Sequence, residues 1–230
     1  MTAFVMFGAI SPLIVVSGII VLLVFLLFGP LVLGAVLIRE RQVGVVVKRF
    51  GTRALAPGAL IALNGEAGYQ ADTLAPGLHF GYWRWQYRIL KMPVITVHQG
   101  EIALVIAADG QPIPPERILG RVVDCDNFQD ARKFLMNGGE KGRQLGILTA
   151  GTYRINTALF SVIAAENAEL HGMNPHQLSL AHIEPDMVGI VTTLDGQSIE
   201  PGEIAGPAIA GHDNFQNAQA FLDGGGRRGL

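Results

Sequence analysis

The sequence predicts an α+β protein in which one N-terminal transmembrane helix precedes a body of short antiparallel strands and helices with an internal duplication. Two observations predict this class. No charged side chain precedes Arg39, and two stretches of the body, which begin at Asp126 and Asp213, are nearly the same. A long apolar run indicates a membrane span, and self-similarity at a fixed spacing indicates repeated structure.

The transmembrane helix is predicted over residues 13–38, after a short extracytoplasmic N-terminus of residues 1–12. Residues 13–37 are almost wholly apolar, and about 20 residues at roughly 1.5 Å each cross the hydrocarbon layer. A cleaved signal peptide, a buried core helix and a re-entrant hairpin each fit this length and composition less well. Gly29-Pro30 is the expected site of a kink.

Basic residues follow this helix. The cluster consists of Arg39, Arg41, Lys48 and Arg49. By the positive-inside rule, the bulk of the chain is expected in the cytoplasm, as a single-pass protein of the cell membrane. The cluster could contact anionic lipid headgroups or serve only as a topology signal. The lone Cys125 agrees with a cytoplasmic body, because one cysteine cannot form an internal disulfide framework.

The body begins with strand patterns. Residues 42–51 are rich in β-branched side chains and end in a glycine, as a short buried strand would. Two further apolar stretches start at Glu101 and Met187, and both run into Asp-Gly, a strong hairpin signal. These Asp-Gly pairs, at Asp109 and Asp195, lie 86 positions apart.

The duplicated stretches beginning at Asp126 and Asp213 lie 87 positions apart and predict two equivalent helices. Asp126 and Asp213 are the expected N-caps. Apolar residues at helical spacing, among them Phe128, Phe134, Phe215 and Phe221, are the expected core side chains. These patterns predict a first unit over residues 42–165 and a second over 166–230 that is incomplete at its C-terminal end.

An aromatic face is predicted within the first unit. Trp83, Trp85 and Tyr87 alternate with polar and basic residues, which is typical of a half-buried strand. This face could lie against the bilayer, because tryptophan and tyrosine favour membrane interfaces. A sheet face packed against helices is the favoured interpretation, and both hold if the domain rests on the membrane.

The sequence contains no recognisable motif for catalysis, phosphate binding or metal binding. The glycine-rich stretch around Lys141 follows a helix pattern and lacks the serine or threonine of a phosphate-binding loop. In the repeat, Cys125 corresponds to His212, which disfavours a thiol nucleophile. His171, His176 and His182 lack metal-ligand spacing. We therefore expect no catalytic residue, no cofactor and no metal, and the charge pattern predicts no nucleic-acid partner.

The motifs resemble the SPFH, or Band 7, family of stomatins, prohibitins and flotillins. The apolar span, "VGVVVKRFG" and "LAPGLHF", with Pro76, Gly77 and His79 matching the family turn, are similar to the start of such a domain. "DGQPIPPERILGR", "DNFQDARKFL" and "GTYRINTALF" resemble the bacterial flotillin-like branch.

The resemblance implies a membrane-anchored scaffold that associates with itself and organises membrane microdomains or membrane protein complexes. The implied partners are membrane lipids, further copies of the chain and a membrane protein. One alternative is a regulatory subunit of a membrane protease or transporter. Another is an enzyme with an unrecognised site.

Overall fold

The computed structural model describes residues 12–229, and these begin with a long apolar helix, α1 (Pro12–Val32). The helix ends six residues earlier than expected, since Gly34 adopts a left-handed φ of 61°. The Gly34 and Ala35 amides donate to the Leu31 and Pro30 carbonyls, which closes a Schellman-type turn. Pro30, the expected kink position, therefore lies in the last turn of α1. Residues 1–11 lie outside the described residues.

The apolar side chains of α1 face outward, with Leu13 80% and Leu27 73% exposed. Among residues 12–229, α1 is the one helix long and apolar enough to cross a membrane. Its 21 residues match the length that spans the hydrocarbon layer. The predicted N-terminal apolar helix is thus confirmed.

The body consists of short strands and two six-residue helices, which confirms the α+β class. The strands are β1 (Val36–Ile38), β2 (Gln42–Lys48), β3 (Ile61–Ala62), β4 (Gly68–Leu74), β5 (Gly77–His79), β6 (Tyr87–Pro93), β7 (Ile95–Val97), β8 (Ala103–Ala107), β9 (Gly142–Leu148), β10 (Gly151–Tyr153), β11 (Phe160–Ile163), β12 (Gln197–Ser198) and β13 (Arg227–Arg228). The helices are α2 (Ala131–Met136) and α3 (Ala218–Asp223), with 3₁₀ turns at Ala165–His171 and Pro175–Leu178. Most strand pairs are antiparallel as expected, but β3–β4 and β12–β13 are parallel.

Two groups of strands share one pairing scheme. In the first set (β1, β2, β4, β5 and β6), β2 pairs with β4 and β6, and β1 pairs with β5. In the second set (β7 to β11), β8 pairs with β9 and β11, and β7 pairs with β10. Both central strands shift register at the matching place, between Val45 and Val47 and between Leu104 and Ile106. The range expected to form one unit therefore contains two matching sheets.

The Asp-Gly pairs do not form the hairpins that the sequence predicts. The carboxylate of Asp109 turns back and accepts the amides of Leu60 and Ile61, at 2.7 and 3.0 Å. The carboxylate of Asp195 accepts the corresponding amides of Ile118 and Leu119, at 3.1–3.3 Å. Each aspartate therefore bonds the segment that ends at its Asp-Gly pair to residues near the sheet that precedes this segment in the chain.

The same short turn occurs three times along the chain. The Ala59 amide donates to the Ala56 carbonyl, Arg117 to Pro114 and Glu203 to Glu200, each at 3.0 Å. In the first two cases the residues whose amides donate to an aspartate come directly after the turn. They are Leu60 and Ile61 in the first case, and Ile118 and Leu119 in the second. The third turn belongs to residues 187–229, which we call the third segment.

The N-caps of α2 and α3 are Asp130 and Asn217, which corrects the expected Asp126 and Asp213. The side chains of Asp130 and Asn217 accept the amides of Lys133 and Ala220, at 2.9 and 3.0 Å. Asp126 and Asp213 instead open runs of three residues with left-handed φ, 53°, 50° and 62° in one case and 47°, 50° and 63° in the other. The apolar residues at helical spacing begin inside this tight loop, so the spacing predicted helix starts that are too early. Both helices begin later than predicted.

The largest core lies between the second set and α2. Phe128 and Phe134 are 6% and 0% exposed, and both pack against Phe160 of β11, with ring centroids 5.4 and 4.9 Å away. The matching side chains of the third segment are not in a core. Phe215 is 44% exposed, and Phe221 is half-buried.

The strand predicted from Met187 is not formed in the described residues. The stretch makes a single bridge, from Thr193 to Gly229. The predicted strands at Gln42 and at Glu101 are formed, because each has a partner strand on both sides.

Candidate membrane-interface site

The body is held against the C-terminal end of α1 by three hydrogen bonds. The indole nitrogen of Trp83 donates to the Val32 carbonyl at 2.7 Å, and the amides of Gly81 and Tyr82 donate to the carbonyls of Leu33 and Gly34. Carbonyls at a helix end lack partners within the helix, so these contacts satisfy groups that would otherwise need water. The fold thus fixes the helix end to the loop before β6.

Close approach at this junction requires a glycine. A Cβ atom on Gly34 would lie 2.8 Å from the backbone nitrogens of Tyr82 and Trp83. Backbone atoms cannot move aside as a flexible side chain can. A side chain at position 34 would therefore separate the body from the helix.

The predicted aromatic face is not a strand face. The amides of Gln86 and Tyr87 both donate to the Trp83 carbonyl, so residues 83–86 form a turn and β6 starts only at Tyr87. Tyr87 packs edge-on against Tyr82 inside the first set, with ring centroids 5.4 Å apart. Trp83 therefore lies at the junction with α1, while Trp85 is 64% exposed in the turn that follows it.

Four cationic side chains surround a cavity of about 370 Å³ next to this junction, and they belong to Arg49, Arg84, Arg88 and Lys91. Tyr82 and Tyr87 line its inner side. A second cavity, of about 310 Å³, lies between Arg84 and the helix residues Leu27, Phe28 and Leu31. Arg84 therefore lies between the cationic cavity and the apolar surface of the helix.

These four cations have no acidic partner in residues 12–229. The ion pairs of the described chain involve other residues, such as Arg117 with Glu140 and Arg132 with Asp72. Uncompensated cations in a concave site focus a positive potential, which attracts anions. The cavity therefore presents a positively charged concave surface beside the helix end.

The predicted basic cluster is divided by the fold. Arg49 lines the cationic cavity, whereas Arg39 and Arg41 line a separate, open cavity beside Pro76 and Gly77. The ammonium of Lys48 donates to the Gly65 carbonyl at 2.6 Å and does not line the cationic cavity. Arg84, Arg88 and Lys91 were not in the predicted cluster, although the basic residues that alternate with the tryptophans are a partial signal for them.

The family-like turn lies next to the helix end as well. Gly77, with a φ of 136°, begins β5 and pairs with Ile38 of β1. The Nε2 atom of His79 lies 2.7 Å from the Ala75 carbonyl. Pro76, Gly77 and His79 therefore brace the segment that leaves α1, which is a structural role.

The groups considered for catalysis are placed apart. Cys125 is buried, and burial raises the pKa of its thiol, which disfavours the thiolate. His171 and His176 are exposed on the two 3₁₀ turns, and His182 is exposed beyond them. Within residues 12–229 no three His, Cys, Asp or Glu side chains are grouped so that they could hold a metal ion.

No family model, no curated protein and no solved structure matches this chain. The functional proposal therefore rests on the geometry described above and on the resemblance of the motifs.

Proposed function

We propose that the protein is a non-enzymatic membrane scaffold, similar to the bacterial flotillin-like branch of the SPFH family. One observation carries the proposal: the body is hydrogen-bonded to the end of an apolar helix and presents unpaired cations beside it. A body bonded to its anchor stays at the membrane surface, which suits a scaffold that organises the membrane.

In this proposal α1 crosses the cell membrane once and the body lies in the cytoplasm. The basic residues after the helix support this orientation. The cationic cavity then lies at the level of the lipid headgroups, where each lysine or arginine contributes about 1 kcal/mol of attraction to an anionic surface. Anionic phospholipids are the lipid partners that this site favours.

The internal duplication is also part of the proposal, in an extended form. The matching registers of the first and second sets, and the matching caps and loops of the second set and third segment, support three related units. A charge-reversed pair supports it further, because Arg117–Glu140 of the second set corresponds to Glu203–Arg227 of the third segment. Exchange of both charges keeps the attraction while changing each residue.

Self-association follows from the resemblance and is tested by size. We expect the chain, extracted into native nanodiscs and measured by mass photometry, to form particles with several copies. A stoichiometric foreign protein would instead support the regulatory subunit of a protease or transporter. A monomer without any partner would contradict both.

The lipid contact is tested by charge removal. The double variant Arg84→Gln/Arg88→Gln should retain less anionic phospholipid on purification than the native chain, as measured by lipid mass spectrometry. Arg39→Gln/Arg41→Gln is the matched control, because it removes the same charge outside the cavity. Equal retention by all three chains would mean that the cations of the cavity do not hold anionic phospholipid.

A further inference from the structure

The turn that leads into α3 is held by the side chain of His212. The Phe215 amide donates to the Nδ1 atom of His212 at 2.7 Å. The amide of Asn217, the N-cap of α3, donates to the His212 carbonyl at 2.9 Å. A ring nitrogen that accepts a hydrogen bond carries no proton, so this imidazole is neutral, with its proton on Nε2. The turn therefore depends on the charge of one side chain.

The second set contains the same turn with a different side chain at this position. The Asp130 amide donates to the Cys125 carbonyl at 3.0 Å, and the three residues after Cys125 have the same left-handed φ as those after His212. The Phe128 amide interacts with the Cys125 thiol. Burial raises the pKa of this thiol, so it keeps its proton between pH 5 and pH 8. The chain thus has two copies of one turn, and only the copy at His212 has an imidazole.

A second proton on the His212 ring would remove the bond that holds the turn. Imidazole is the side chain that ordinarily gains a proton between pH 8 and pH 5. Both nitrogens of the charged ring donate, so Nδ1 and the Phe215 amide would face each other as two donors. The Phe215 ring, whose centroid lies 4.3 Å from that of His212, attracts a cation. That attraction survives a rotation of the imidazole, whereas the hydrogen bond does not.

No ion pair compensates for this loss within residues 12–229. The charged residues near His212 in space or along the turn and α3 are Arg227, which is bonded to Glu200 and Glu203, together with Asp213 and Asp223. The histidines that lie within 4.0 Å of a carboxylate oxygen in the described chain are His98 and His182. A charged His212 therefore gains no carboxylate partner in return for its hydrogen bond.

Helix α3 also joins the third segment to the second set. The side-chain oxygen of Gln219, in the first turn of α3, accepts the Val122 amide at 3.2 Å. We propose that His212 is a pH-sensitive switch, whose protonation opens the turn at residues 213–215, loosens α3 and releases the Val122 amide. The corresponding turn after Cys125 stays closed under the same conditions.

The test is hydrogen–deuterium exchange with mass spectrometry on the full chain in nanodiscs, at pH 8 and at pH 5. The readout is the protection factor, which is corrected for the intrinsic pH dependence of exchange. We expect protection of residues 213–223 and of Val122 to fall about tenfold at pH 5, because two opposed donors replace a hydrogen bond. Residues 126–136 are the internal control and should keep their protection.

Two variants assign the response to the imidazole. His212→Cys introduces the residue of the second set and should remove the pH response. His212→Asn should remove it as well, because its amide oxygen accepts a hydrogen bond at both pH values. The second variant provides the test if the first does not fold.

Four results would overturn the proposal. They are equal protection of residues 213–223 at both pH values in the native chain, a pH response that persists in the folded variants, a parallel loss of protection in residues 126–136, and unchanged protection of Val122 while α3 loosens.

Discussion

At the scale of single residues, buried carboxylates decide how the segments meet. Asp109 is 9% and Asp195 is 6% exposed, and each accepts two backbone amides from the sheet before it. An amide left without a partner in such a place costs about 1–3 kcal/mol. The sequence shows both aspartates but indicates a turn, because the amides that they bind are more than 45 residues away.

We predict that Asp109→Ala lowers the free energy of unfolding by about 1–3 kcal/mol, since the buried amide of Ile61 and the partly buried amide of Leu60 lose their acceptor. Asp195→Ala should cost less, because its hydrogen bonds are longer. Thermal unfolding in detergent, followed by circular dichroism, measures both. Asp124→Ala, at an exposed position, is the control and should have little effect. A loss no larger than that of the control would contradict the role given to Asp109.

A second residue-scale prediction concerns pH. Burial alone would raise the pKa of Glu140, but the hydrogen bonds from the Arg117 side chain and the Arg121 amide outweigh it, so the pKa is lowered from its ordinary 4.5. A lowered pKa gives stability that is complete above 4.5 and is lost as the pH falls through the folded value.

Glu140→Gln should therefore reduce stability at pH 7 and reduce the loss of stability between pH 5 and pH 3, relative to the native chain. Denaturant unfolding at these three pH values measures both effects. Parallel curves for the two proteins would show that Glu140 does not contribute to the acid sensitivity.

At the scale of elements, the strands predicted at Gln42 and Glu101 are formed, whereas the strand predicted from Met187 is not and α2 and α3 begin later than predicted. The β-branched run at Gln42 folds as β2, because its residues are buried and paired on both sides. The similarity of the first and second sets lies in their strand register, a matching bulge and backbone contacts. Residue identity shows it only weakly, because Gly44 and Lys48 stand where the second set has Ala103 and Ala107. Backbone pairing of this kind leaves little trace in residue identity.

The corrected caps give an element-scale prediction. Asp130→Ala should speed amide hydrogen exchange in residues 131–136, because the first turn of α2 loses its side-chain acceptor, worth about 1 kcal/mol. Asp126→Gly should leave this exchange unchanged, since glycine adopts the left-handed φ without strain. Hydrogen–deuterium exchange with mass spectrometry compares the two. The reverse order would place the cap at Asp126.

At the scale of the whole molecule, the candidate site depends on the fold. Trp83 and Trp85 could be selected from the sequence by their residue type, and Arg49 by its charge and its nearness to the helix. Lys91 could not, because it joins Arg49 and Arg84 only when β6 lies beside β2. The helix end, the turn before β6 and the sheet meet at one place that no local pattern describes.

The position of this junction gives a whole-molecule prediction. Trp83 is bonded to the helix end there, so lipids brominated near the headgroup should quench its fluorescence more than lipids brominated near the chain end. Proteoliposomes with each lipid provide the measurement, and Trp85→Phe leaves the indole of Trp83 to be read alone. Quenching by neither lipid would show that the body stands away from the bilayer.

The two aspartate contacts also bear on how the chain would respond to a pulling force. Helix α1 is bonded to the first set, Asp109 joins the second set to the first, and Asp195 joins the third segment to the second. Tension applied to the far end therefore loads the two aspartate contacts in series, beside other bonds such as Arg132–Asp72 and Val122–Gln219. The Asp195 contact has the longer hydrogen bonds, so it would break first and release the third segment while the second set stays attached to the first.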